Sequence, residues 1–243
     1  MTSKLQKMLG ILCLLPIGSA EAEPTFFADR GELDPVGSAN LGARFRADSN
    51  DWDLRLAADG FADNGDTRGD LGTGRPYFEG YTFDFELRYV AATRVSTLLV
   101  ARDDRQSASV DLAVDTGATA NTFQLSAIGS QGDIYVTSLS LLIEGSEVDI
   151  DSSGLSAATV GSTDETFLWL GDGVDLYSND FSLIATVGLD TFDTDNPSDG
   201  VRFDVNVFQA GRIPAPATAM AGMFLLLPVR RPARDPVQRP AKV

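Results

Sequence analysis

The sequence predicts an all-β fold: an antiparallel β-sandwich of the jelly-roll or lectin-like kind. An N-terminal signal helix precedes it, and a short apolar segment follows it. Three observations predict this. Tyr81 to Tyr89 alternates apolar and polar residues over nine positions, and Val201 to Val207 does the same, the two-residue period of a half-buried strand. Groups rich in Gly, Asp, Ser and Asn interrupt the rest of the chain at short intervals, as turns between strands do. No segment of the body has a 3.6-residue apolar period of helical length.

Residues 1–22 read as a secretory signal peptide. Lys4 and Lys7 form its positive start, Leu9 to Ile17 its apolar centre, and Ala20-Glu21-Ala22 a small-x-small cleavage site at Ala20 and Ala22. The apolar run is too short for an ordinary spanning helix. Cys13 follows Ile11 and Leu12, where a lipobox needs a small residue, so it belongs to the apolar centre. It is the one cysteine of the chain. The exported part therefore has no disulfide and depends on its packed core.

Residues 23–76 are the N-terminal part of the β-domain. They are rich in Asp, Asn, Gly and Ala. Trp52 to Leu56 is expected as a strand and Asp63 to Gly74 as a long loop. Residues 77–211 are the sandwich core. Beside the two alternating strands, segments 95–101, 108–114, 121–128, 134–143, 167–170 and 181–187 are rich in Val, Ile, Thr, Phe and Leu, the residues that suit a pleated surface. Turns are expected at 115–117, 129–132, 152–154, 171–173 and 196–200.

Composition excludes several functions. The 43% apolar content of the 243 residues supports a core and not a disordered acidic chain. Histidine is absent, so Ser–His–Asp and Cys–His catalysis and imidazole metal sites are excluded. The body, 23–212, has twelve basic residues, all arginine, against 33 acids, a net of −21. Without lysine it has no Schiff-base nucleophile. An acidic balance of this strength argues against nucleic acid as a partner.

Residues 212–243 differ from the body. Ile213-Pro214-Ala215-Pro216-Ala217-Thr218 leads into an apolar stretch, Ala219 to Val229, and then Arg230 and Arg231. From Ile213 onward five bases face one acid. An apolar segment followed by an arginine cluster has the logic of a stop-transfer signal, and the prolines keep its approach extended.

This order of parts resembles the PEP-CTERM sorting signal of Gram-negative bacteria: a Pro-Glu-Pro motif, a hydrophobic helix and an arginine cluster. Ile213, Pro214, Pro216, Ala217 and Thr218 fit the motif, and Arg230-Arg231 the cluster. Ala215 stands where the family has Glu, and the apolar run is eleven residues with Gly222 and Pro228 inside it. The resemblance implies an exosortase-type sorting enzyme as partner, transient residence in the inner membrane, and delivery to the cell envelope or the extracellular exopolysaccharide. The motif residues would be recognised by that enzyme and would not be catalytic. The general plan also resembles the choice-of-anchor β-domains, exported β-rich domains with interchangeable C-terminal anchors.

The expected function is thus an exported surface or biofilm-matrix protein, structural or adhesive and not an enzyme. The alternative is a secreted carbohydrate-binding module for exopolysaccharide, with Trp52, Tyr77, Tyr81, Trp169 and Tyr177 as the stacking aromatics; Trp169, within Phe167-Leu168-Trp169-Leu170, also suits a core position. A glycoside hydrolase ranks behind both. It would need two carboxylates, and Glu79, Glu86, Glu144, Glu147 and Glu165 are available without a spacing that selects a pair. No cofactor is called for. Calcium is the cation that the acidic loops would suit. Asp149 to Gly154 opens like an EF-hand loop, but Val160 holds the twelfth position. Asp193 to Gly200 carries Pro197 at its fifth, and Asp63 to Asp70 is a third cluster.

Overall fold

A computed structural model describes residues 24–213, apart from positions 29, 81 and 116 and segments 37–38, 48–51, 59–66, 71–79, 103–106, 151–156 and 193–199. Among the described residues, sixteen strands form three antiparallel sheets. The first sheet contains β1 (Thr25–Phe27), β3 (Leu41–Ala47), β4 (Trp52–Ala57), β5 (Thr67–Asp70), β9 (Thr122–Gly129), β13 (Ser162–Trp169) and β15 (Val201–Phe208), in the order β1-β13-β9-β15-β3-β4-β5. The second contains β6 (Thr82–Val90), β7 (Val95–Arg102), β8 (Ser107–Ala113), β10 (Gly132–Ile143), β11 (Ser146–Val148) and β14 (Phe181–Phe192), in the order β11-β10-β14-β6-β7-β8, with β12 (Ala157–Ala158) on β10. A small ribbon pairs β2 (Leu33–Pro35) with β16 (Ala210–Arg212).

The two large sheets pack face to face, as in a β-sandwich. Alternate residues turn inward: Leu41, Ala43, Phe45 and Ala47 from β3, Val201, Phe203, Val205 and Val207 from β15, and Phe83, Phe85, Leu87 and Tyr89 from β6 are all buried. Aromatic rings join the sheets. Phe45 lies 4.7 Å from Phe83, Phe85 meets Phe203 edge-on at 5.1 Å, and Phe123 meets Phe181 edge-on at 5.5 Å. Such pairs add geometric preference to the area they bury.

A second, smaller core lies on the outer side of the first sheet. Phe27, Phe167, Trp169 and Phe208 face away from the main core and pack with Leu33 and Ala210 of the ribbon. The continuous apolar run 167–170 follows from this. It is covered on both faces, so it shows no alternation.

Every strand expected between residues 81 and 208 is present, with shifted ends. The strand at 167–170 begins at Ser162, and the one at 181–187 runs to Phe192. In the opening segment one strand is unexpected and one expectation needs correction. The segment supplies β3, directly beside β15, which its Gly- and Ala-containing pattern hides. The stretch expected as a long loop contains β5, which pairs with β4.

The signal residues Ala20 and Ala22 lie outside the described residues. So do Pro214, Ala215, Pro216, Ala217, Thr218, Arg230 and Arg231 of the sorting segment, and Ala219 to Val229. Ile213 is described and exposed. Among the described residues no helix is long and apolar enough to cross a membrane.

Candidate functional site

The strand period decides which side chains leave the core. On β3, burial of Leu41, Ala43, Phe45 and Ala47 turns Arg44 and Arg46 outward. On β4, burial of Leu54 and Leu56 turns Asp53 and Arg55 outward. On β15 the same alternation turns out Arg202 and Asp204. The register then aligns these residues in two rows across the outer face. One runs Ile128, Arg202, Arg46, Asp53; the other runs Ser126, Asp204, Arg44, Arg55. Four of the body's twelve arginines thus occupy two adjacent rows.

Two carboxylates organise them. Arg44 donates from Nε to Asp204 Oδ1 at 2.9 Å and from Nη2 to Oδ2 at 3.0 Å, a bidentate fork. Arg202 Nε lies 3.1 Å from Asp204 Oδ2. Arg46 Nη2 donates to Asp53 Oδ2 at 2.6 Å. The aspartates are buried beneath the guanidinium layer. Arg44 is 17% exposed, Arg46 33% and Arg202 36%. These residues, with Arg55, Ile128 and Ser130, line an open depression of about 240 Å³. Four guanidinium groups against Asp53 and Asp204 leave it positive on a strongly acidic body. Chemically, such a surface offers N–H donors to an oxyanion.

A second depression, of about 270 Å³, lies on the outer face of the other sheet and includes Glu86, Arg88, Asp180 and Ser182. Glu86 takes the outward phase of β6, as its alternation predicts, and accepts a hydrogen bond from Ser182 Oγ at 3.1 Å. Glu144 accepts from the backbone of Asp180 at 2.8 Å in a turn where its own φ is 50°. Both carboxylates serve local structure. Glu147 and Glu165 are exposed on β11 and β13.

The aromatics expected to stack on sugars are placed otherwise. Trp52 packs against Phe45 and Phe83 in the main core, at 6.1 and 5.4 Å. Trp169 lies beneath the ribbon against Phe27, and Tyr177 packs on Tyr89 at 5.1 Å. All three are buried: the second sheet covers Trp52, the ribbon covers Trp169, and Tyr177, in a short turn, packs on Tyr89 and Phe181. Tyr77 and Tyr81 lie outside the described residues. Burial raises the Tyr177 hydroxyl well above the usual tyrosine range, with Tyr89 and Asp175 adding to the effect.

The three acidic loops considered for calcium fall largely outside the described residues. Among the described residues, no group of three or more His, Cys, Asp or Glu side chains is placed to hold a metal ion.

The arginine depression is the feature that sequence reasoning missed. Its signal was present in Arg44-Phe45-Arg46, Asp53-Leu54-Arg55 and Arg202-Phe203-Asp204, each with charges on the outward phase around an apolar residue. Their convergence depends on β15 lying beside β3, a pairing over more than 150 positions of chain. No family model matches this chain, and no curated protein matches it.

Proposed function

We propose that the protein is an exported cell-surface or extracellular-matrix protein, structural or adhesive, which acts without catalysis. Its C-terminal segment would direct it to the envelope through an exosortase-type enzyme. The observation that carries this reading is the combination of ends. A secretory start at 1–22 and the Ile213-to-Thr218 motif with its apolar stretch and Arg230-Arg231 flank one acidic β-body. The fold supports it: a cysteine-free sandwich with a large apolar core is suited to persist outside the cell. The chain crosses repeatedly between the two sheets, at β5–β6, β8–β9, β9–β10, β12–β13, β13–β14 and β14–β15, a connectivity in keeping with a jelly-roll or lectin-like sandwich.

A chain truncated after Arg212 tests the reading. It is expected to leave the cell and appear in the medium, while the full chain stays with the envelope or matrix. Equal surface retention of both would contradict the proposal.

Carbohydrate binding is the second reading. The burial of Trp52, Trp169 and Tyr177 takes those rings out of it. The arginine depression favours it by another route.

A further inference from the structure

We infer that the arginine depression on the outer face of the first sheet is a binding site for a carboxylated sugar, a uronate-type residue of an acidic saccharide. The argument starts from cost. Arg46 stands directly opposite Arg202, and Arg44 directly opposite Arg55, in the strand register. Like charges at directly opposed sheet positions are destabilising. The body has only twelve bases, yet it places two such pairs side by side. Asp204 and Asp53 lie below and hold the guanidinium planes in place, which leaves fewer rotamers to freeze when a ligand arrives.

The ligand's chemistry follows from the lining. The planar guanidinium fork matches a carboxylate in two-point contact. The depression of about 240 Å³ is smaller than the ~300–1,000 Å³ of pockets that envelop a drug-sized ligand, so it suits one ring and leaves the rest of a chain outside. Its open side permits that. Ile128 gives an apolar wall for the C–H face of a sugar ring, and Ser130 gives a hydroxyl. The net −21 of the body repels densely charged polyanions at long range. A saccharide with an isolated carboxylate on each acidic ring meets less of that repulsion. A second copy of this chain, docking through its own acidic groups, is the competing occupant, and the test separates it.

The site is independent of how the chain is sorted, so purified full-length protein suffices. Titration with oligoglucuronate at low salt, followed by calorimetry, is expected to show saturable binding that weakens as salt is added. The neutral glucose oligomer is expected not to bind, and inorganic sulfate to bind at least tenfold more weakly than the uronate. Arg46→Gln and Arg202→Gln, both at part-exposed positions, are each expected to weaken uronate binding about tenfold, which is 1.4 kcal/mol. Arg88→Gln, on the opposite sheet, is expected to leave it unchanged. Circular dichroism melting confirms that each variant is folded. Absence of uronate binding would overturn the inference, as would equal losses in all three variants, equal binding of sulfate, or tight binding of the neutral oligomer. Sedimentation that shows self-association abolished by Arg46→Gln, with no uronate bound, would assign the face to a second copy instead.

Discussion

Asn121 shows how single side chains tie this sandwich together. It is fully buried at the start of β9. Its Nδ2 donates to the carbonyls of Gly171 and Ala210 at 2.9 and 2.8 Å, and its Oδ1 accepts from Ala210 N and Thr122 Oγ1, both at 2.9 Å. One amide thus joins a sheet strand, a turn and the covering ribbon. Asn121→Ala would strand several buried groups, each at about 1–3 kcal/mol. A loss of about 3 kcal/mol or more is expected in urea melts. Asp204 is comparable, because it holds both Arg44 and Arg202. Asp204→Ala is expected to cost about 2 kcal/mol, below the ~3–5 of a fully buried pair because these arginines keep some water. Tyr177 should behave in the opposite way. Its hydroxyl has no hydrogen-bond partner among the described residues, so Tyr177→Phe is expected to preserve or slightly raise stability at neutral pH. The raised pKa also fixes a sign. Above about pH 10 the unfolded chain ionises this phenol while the folded chain keeps it neutral, so stability falls as pH rises. Burial raises Tyr89 as well, against the pull of Arg94. Alkaline melts of Tyr177→Phe are expected to show a shallower decline than those of the parent.

Strands differ in how plainly their sequences announce them. β6, β7 and β15 have one face on the core and one outside, so alternation reveals them. β3 alternates too, but with Gly42, Ala43 and Ala47, residues of low strand propensity whose place is decided by β15 and β4 on either side. The start of β13, Ser162-Thr163-Asp164-Glu165, has no inward apolar residue and is a strand through its ladder to β9. Non-local pairing, absent from any short window, explains both. Gly129 at the end of β9 marks another long-range constraint. A Cβ there would meet the backbone carbonyl of Thr159 and lie 2.7 Å from that of Gly132. The Thr159 carbonyl is held by hydrogen bonds from Ser162 N and Oγ, and Gly132 opens β10. Gly129→Ala is therefore expected to lower the melting temperature clearly, whereas Gly117→Ala, where the added methyl meets nothing, is expected to leave it nearly unchanged.

Across the whole molecule, charge is divided in a way composition conceals. The net charge of −16 describes the chain, yet one sheet carries an arginine surface. The class of fold was legible because it depends on periods of two residues and on turn chemistry. The arginine site was not, because opposed residues such as Arg46 and Arg202 meet only once the strand order is known. The export reading rests on the two ends, and they expose it to one direct measurement. Intact-mass spectrometry of the protein from its native envelope and medium is expected to show a mature chain beginning at Glu23 and ending near Pro216. A chain free in the medium and complete through Val243 would contradict sorting at the cell surface.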